Sequence, residues 1–215
     1  KIQVQSDGGL IVAIISNGKT IADAGAFTAS LGAMTLIHTR ANVVDNSNVA
    51  FVQGSDGVNF STYPVYMFKF MNIHASINNT NFMVSFRDGG SDYDATCTTT
   101  MFSSRHNEAD SDAAIGYETS QDEAQSNGTV KLSVGVGTGG DESTSGELYL
   151  FNPSSTTFTK HFISTCTVVH HAEYNYNWYK TGYANVTAAI DAVKFTMNSG
   201  AIGDGTIKLY GIKDS

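Results

Sequence analysis

The sequence predicts an all-β fold, specifically an antiparallel β-sandwich of the jelly-roll type. Apolar and polar residues alternate with a period of two through most of the chain, which indicates strands. No window longer than about two turns has the period and the caps of an α-helix. The chain has 21 glycines and 2 prolines, so its turns depend on glycine and asparagine. Strands separated by such turns and by long polar loops are typical of a two-sheet sandwich.

The first clear strand is predicted at 65–74, where both faces are apolar, as in a covered central strand. One face carries Tyr66, Phe68 and Phe70, and the other carries Val65, Met67, Met71 and Ile73. Further strands are predicted at 82–87, 98–103, 130–136, 147–151 and 162–171. The final two strands, 193–197 and 207–209, are predicted to form a hairpin around the turn at 198–205, with Val193, Phe195 and Met197 facing the core. Long acidic and polar loops are expected at 89–96, 104–127 and 137–146.

The domain organisation divides the chain at residue 50. Residues 1–50 are rich in alanine, glycine and isoleucine and poor in aromatic residues. They are either an attachment or oligomerisation segment or the first strands of the same sandwich, and both alternatives stay open. Residues 51–215 are predicted to be the β-sandwich domain.

Composition and missing motifs exclude several classes of function. The net charge of −8 argues against nucleic-acid binding, which requires clustered lysine and arginine. The longest apolar run, at 10–15, is much shorter than the roughly 20 residues of a membrane span. Nucleophile-elbow, zincin and phosphate-loop motifs are absent. We therefore expect no catalytic residues, no enzyme activity and no cofactor.

Carboxylates are concentrated in two of the predicted loops. They are Asp88, Asp92 and Asp94 in the first and Glu108, Asp110 and Asp112 in the second. Calcium binds several oxygen ligands from one loop, so these residues are weak calcium candidates, although neither set matches a defined calcium loop. Solvated loop charge is the simpler interpretation. A carboxylate pair could also serve glycoside hydrolysis.

Two further pairs of residues bear on redox and metal chemistry. Cys97 and Cys166 permit one disulfide, but two half-buried free thiols are the simpler interpretation because a disulfide scaffold would have more cysteines. His170 and His171 are adjacent in a predicted strand, which places them on opposite faces. We therefore expect no metal shared between them.

An aromatic run near the C-terminus is the main candidate for binding. Its members are Tyr174, Tyr176, Trp178, Tyr179 and Tyr183. Aromatic faces suit the apolar side of pyranose rings, and amphipathic rings are favoured at interfaces in general. The run therefore predicts a glycan-stacking platform, a surface packed against a neighbouring subunit, or a cover for the end of the sandwich.

Several segments together resemble a family of tail-fibre or virion structural proteins from marine bacteriophages, especially cyanophages. The segments are VYMFKFMNIH at 65–74, HNEA at 106–109, ELYLFNPSSTTFTKHF at 147–162 and AIDAVKFTMNSGAIGDGTIKLYGI at 189–212. The resemblance covers roughly residues 50 to 213. It implies a β-sandwich displayed on the virion surface, assembled as a homo-oligomer, namely a trimer, with other virion proteins as partners. It carries over no catalytic residues.

Together, these observations give three hypotheses of function. The first is a phage virion structural protein, in a tail fibre or a capsid-surface appendage, that self-assembles and contacts host surface polysaccharide. The second is a free lectin or carbohydrate-binding module, and the third is a glycan depolymerase. The resemblance favours the first hypothesis over the second, and the missing motifs argue against the third.

Overall fold

The structure, a computed structural model, describes the backbone of residues 2–7, 10–16, 19–23, 26–27, 33–41 and 43–213, and the side chains of residues 33–41 and 43–213. Two compact units divide the chain, the first ending at Thr35 and the second beginning at Leu36. This boundary lies 15 residues before the boundary at residue 50 that the sequence predicts. Residues 36–50 therefore belong with the large unit.

The first unit contains a four-stranded antiparallel sheet in the order β1–β2–β3–β4. Its strands are β1 (Ile2–Asp7), β2 (Leu10–Ser16), β3 (Lys19–Asp23) and β4 (Ala26–Phe27). Consecutive strands are neighbours, so this sheet is a simple meander. The apolar run at 10–15 forms most of β2.

The second unit contains the remaining strands, apart from the first two residues of β5. They are β5 (Met34–Arg40), β6 (Asn48–Val52), β7 (Val65–Ala75), β8 (Thr80–Arg87), β9 (Cys97–Asn107), β10 (Ala113–Tyr117), β11 (Val130–Val136), β12 (Thr144–Phe151), β13 (Lys160–His170), β14 (Tyr174–Ala184), β15 (Ala192–Met197) and β16 (Ile202–Ile212). A 3-10 turn, Thr119–Gln121, follows β10. Among the described residues no helix is long and apolar enough to cross a membrane.

The twelve strands form one continuous hydrogen-bonded sheet, which we describe as two parts, a large sheet and a small sheet. The large sheet has the order β5–β16–β7–β12–β13–β14–β9–β10, and the small sheet has the order β11–β8–β15–β6. The two sheets meet at two corners, where Val136 pairs with His170 and Asn46 bridges to Ile202. Every pairing with a described register is antiparallel, which confirms the predicted all-β antiparallel fold. The jelly-roll connectivity stays a prediction.

Phenylalanine rings fill the space between the two sheets. Phe195 of β15 lies 5.2 Å from Phe68 and 5.1 Å from Phe70 of β7, measured between ring centroids. It also stacks on Phe82 of β8 at 5.7 Å. These rings are almost completely buried, and the predicted inward direction of Phe195 is confirmed. Edge-to-face and offset aromatic pairs of this kind add stability beyond the area they bury.

A bulge in β7 changes the predicted side-chain pattern. Asn72 has a φ of 50°, and β7 has one more residue than β12 between the pairs Thr144–Ile73 and Gly146–Phe70. A bulge exchanges the faces of all later residues. Ile73 is therefore fully buried on the core side, so its assignment to the opposite stripe from Phe70 is wrong.

The prediction that the last two strands form a hairpin is also wrong. β15 pairs with β6 and β8 of the small sheet, whereas β16 pairs with β7 of the large sheet. The turn between them crosses from one sheet to the other. Gly200 has a φ of 70° within this turn, a conformation that glycine adopts without strain. Alternation reports which residues face the core but not which sheet a strand joins.

The segment 104–127, predicted as one long loop, contains regular structure. β9 continues to Asn107, and the chain returns as β10 beside it. The strand β14 is a further element that the sequence did not predict. Its tyrosine and asparagine residues lack the aliphatic alternation that marks the other strands.

Replacing Phe195 by alanine should destabilise the protein strongly, because it removes a ring that contacts both sheets. We expect Phe195→Ala to lower the free energy of unfolding by about 3–5 kcal/mol, measured by urea denaturation. Phe158 is 68% exposed, so Phe158→Ala should change that free energy by less than about 0.5 kcal/mol. Equal effects of the two substitutions would contradict the described core.

Candidate functional site

The predicted aromatic run lies entirely on β14, and the strand distributes it over both faces of the large sheet. Tyr174, Tyr176 and Trp178 lie on the core side, where Tyr176 and Trp178 stack at 4.8 Å with an interplanar angle of 1°. Trp178 is only 4% exposed, so it cannot stack on a glycan in the folded protein. Tyr179 and Tyr183 lie on the opposite side. The run is therefore two separate surfaces and not one platform.

The outer face of the large sheet, the side turned away from the small sheet, is built from rows of side chains across β9, β14 and β13. Antiparallel register places these residues side by side. The three rows are Thr98–Tyr183–His161, Thr100–Thr181–Ile163 and Phe102–Tyr179–Thr165. The rows combine hydroxyl groups with aromatic and aliphatic surface.

A depression of about 390 Å³ lies between the first two rows, with Phe151 of β12 at its end. This volume is within the range of small-molecule sites, which is about 300–1,000 Å³. Gly182 lies in the floor. A Cβ there would point to the core side, 2.7 Å from a ring carbon of Phe162 and 2.8 Å from the Thr98 carbonyl oxygen. Only glycine therefore fits, because any side chain would push Phe162 or the neighbouring strand away.

The third row carries an exposed aromatic pair next to the depression. Phe102 and Tyr179 stack with a centroid distance of 4.6 Å and an interplanar angle of 12°, and Phe102 is 43% exposed. The Asn177 side chain donates a hydrogen bond of 2.7 Å to the Tyr179 hydroxyl, which holds the ring in place. Sequence reasoning missed Phe102 because its position beside Tyr179 depends on the register between β9 and β14.

The outer face continues beyond this pair toward β7. A second depression, of about 440 Å³, lies over Ser145, Thr165 and Thr167. At its side Lys69 and Glu147 approach to 3.8 Å, and both are partly exposed. This region is therefore more polar and more charged than the depression over Gly182.

The calcium candidates do not come together. Asp112 accepts a hydrogen bond of 2.9 Å from Arg105, and this contact lowers the pKa of Asp112. Asp110 lies 3.0 Å from His106. Among the residues whose side chains are described, no group of three histidine, cysteine, aspartate or glutamate residues could hold a metal ion. That includes the two candidate sets, Asp88, Asp92 and Asp94, and Glu108, Asp110 and Asp112.

The two cysteines are buried and unpaired in the structure. Cys97 lies opposite Ala184 and Cys166 opposite Trp178 on the same strand, six positions apart, or roughly 20 Å along a strand. Burial raises the pKa of each thiol to about 12. Both groups therefore stay protonated and behave as small apolar side chains.

His170 and His171 lie closer together than the sequence predicts. Their ring centroids are 4.3 Å apart because β13 ends at His170 and the chain turns there, so the expectation of opposite faces is wrong. Burial and the neighbouring His171 lower the pKa of His170 to about 4. His170 packs on Gly135, where a Cβ would lie 2.0 Å from its ring.

Lys180 is a buried charged group that sequence reasoning missed. It is 0% exposed on the core side of β14, and its ammonium group donates a hydrogen bond to the Gln121 carbonyl oxygen. The segment that includes Gln121 also pairs with β9, where Thr99 N donates to Glu123 O at 2.9 Å. Burial lowers the pKa of Lys180 to about 8, although Asp122 and Glu123 oppose this shift. Lys180 therefore fastens the segment after β10 to the large sheet.

No protein-family model matches the chain, and no curated protein or solved structure matches it. The fold and the outer face define a structural class of protein. It is an all-β protein whose large sheet presents a ligand-sized depression and an exposed aromatic pair. The resemblance to marine phage virion proteins stays a prediction.

Replacing Lys180 by methionine should remove a pH-dependent component of stability. The pKa of Lys180 is about 8 in the folded protein and about 10.4 in an unfolded chain. Between these values only the unfolded chain binds the proton, so the contribution of Lys180 to the free energy of unfolding rises with pH, by up to about 1 kcal/mol per unit. The unfolding free energy of the wild type minus that of Lys180→Met should therefore increase from pH 7.5 to pH 9.5, measured by urea denaturation.

Lys208→Met is the matched control, because Lys208 lies on β16, away from the segment that Lys180 holds. The two cysteine thiols ionise only in the unfolded chain over this pH range. Their contribution to the pH dependence is the same in the wild type and in both variants, so it cancels in the difference. A difference for Lys180→Met that stays constant with pH would contradict the buried position of this side chain.

Proposed function

We propose that the protein is a structural component of a bacteriophage particle, in a tail fibre or a capsid-surface appendage, that self-assembles and contacts host surface glycans. The observation that carries the glycan contact is the outer face of the large sheet. There, the stacked pair Phe102–Tyr179 lies next to a depression of ligand size. Aromatic rings beside hydroxyl groups suit sugars, which have an apolar face and a polar rim.

The charge distribution of this surface supports a neutral ligand. None of the side chains in the first two rows is an aspartate, glutamate, lysine or arginine. The net charge of −8 is therefore carried elsewhere. When a neutral polysaccharide binds such a surface, no charged group has to lose its hydration. A polyanion would instead be repelled by the net negative charge of the protein.

The proposed assembly is supported by the resemblance and by the free edge of the large sheet. All five residues of β10, Ala113–Tyr117, are exposed and uncharged, and Ile115 is 76% exposed. Among the described strands β10 pairs with β9 alone, so within that part of the chain its other edge has backbone groups available. An exposed apolar edge strand is a site for pairing with another chain. We propose a trimer, in keeping with the resemblance.

A free lectin is the second candidate, and the same outer face favours it. The two candidates differ in assembly and in the presence of other virion proteins. Both use the outer face without a chemical step. Measurements of oligomeric state and of glycan binding therefore test separate parts of the proposal.

Sedimentation equilibrium at micromolar concentration should give a mass three times the 22.9 kDa of one chain. Ile115→Lys should weaken the association at least tenfold, because it places a charge on the exposed apolar edge. Val44→Lys is the control, since Val44 is also exposed, at 55%, but lies between β5 and β6. A wild-type protein that remains monomeric would overturn the proposed assembly.

Glycan-array binding should depend on the exposed aromatic pair. We expect Phe102→Ala to reduce binding to neutral surface polysaccharides at least tenfold, because the outer face loses one of the two aromatic rings on which a sugar can stack. Ile77→Ala is the control, since Ile77 is 46% exposed but lies in the turn between β7 and β8. Equal binding by the wild type and Phe102→Ala, or binding by neither, would count against glycan recognition at this face.

A further inference from the structure

Three polar groups at the depression over Gly182 have no hydrogen-bond partner among the described residues. They are the Thr181 hydroxyl, the Tyr183 hydroxyl and the His161 ring, and the rings of His161 and Tyr183 lie 6.0 Å apart. The hydroxyls of Thr98 and Thr100 have partners, and Thr100 donates a hydrogen bond of 3.4 Å to the Tyr117 hydroxyl. Thr98 accepts hydrogen bonds from Gln125, at 3.2 Å from its backbone N and 2.6 Å from its side chain.

The rest of the depression is carbon surface. Phe151 and Ile163 supply aromatic and aliphatic walls, and the threonine methyl groups add to them. Ile163 is 46% exposed, although its side chain is large and aliphatic. An exposed aliphatic side chain beside unpaired polar groups is the arrangement of a small-molecule site, in which a few polar groups orient a mostly apolar contact.

We infer that this depression is a subsite for one neutral pyranose ring that carries a methyl group, as an acetamido sugar or a 6-deoxy sugar does. The inference rests on the proposed glycan recognition. A sugar hydroxyl held against the apolar walls Phe151 and Ile163 would lose its hydration without gaining a hydrogen-bond partner. A methyl group in the same position avoids that loss and adds apolar contact with Ile163 and Phe151.

The test uses saturation-transfer NMR on the full chain with three separate probes, N-acetylglucosamine, L-fucose and glucose. We expect one or both of the methyl-bearing sugars to bind at least fivefold more tightly than glucose, with the strongest saturation on the methyl protons. The acetamido and 6-deoxy probes distinguish the two possible sources of the methyl group. Thr181→Val and Tyr183→Phe, which remove single hydroxyls, should each weaken that binding at least threefold.

Thr196→Val is the matched control, because Thr196 lies on β15 of the small sheet and not on the outer face of the large sheet. If Phe102→Ala weakens polysaccharide binding but Thr181→Val and Tyr183→Phe do not, the subsite is overturned and the glycan-binding face stands. The subsite is also overturned, and the glycan-binding face stands, if glucose binds as tightly as the methyl-bearing sugars. If no polysaccharide or sugar binds, both the subsite and glycan recognition fail.

Discussion

The contact of Phe195 with rings from three other strands is the constraint on which the rest of the second unit depends. Phe195 lies 6.3 Å from Phe51, 5.2 Å from Phe68, 5.1 Å from Phe70 and 5.7 Å from Phe82. These contacts fix which side of each strand faces inward. Because side chains alternate along a strand, the inner contacts also decide which residues the large sheet presents to solvent. The outer face is thus a consequence of the core.

Much of the core could be predicted from the sequence, because alternation is a local property. The inward positions of Val193, Phe195 and Met197 required only a period of two. The bulge at Asn72 could not be predicted in this way. A single extra residue leaves no mark in composition, and its effect on Ile73 depends on pairing with β12. The crossing between β15 and β16 likewise depends on partners that are distant in sequence.

The candidate site was less predictable than the core. Tyr179 and Tyr183 were found, but Trp178 was grouped with them because the run was not recognised as one strand with two faces. Phe102 and Thr181 have no individual signal in the sequence. They belong to the site only because β9, β14 and β13 pair in one particular register. The proposal that the protein belongs to a phage particle rests on the resemblance, whereas the ligand-sized depression follows from the fold.

The depression over Gly182 is made from strand residues rather than from loops. Its floor is fixed by glycine and by the strand backbone, while residues such as Thr181, Ile163 and His161 point to solvent and contribute little to folding. Substitutions at such exposed positions usually alter stability by less than about 0.5 kcal/mol. The surface can therefore diversify while the scaffold stays intact. If selection favours new ligands, substitutions should accumulate at the exposed positions that line the depression. Related sequences should then differ most at these few positions.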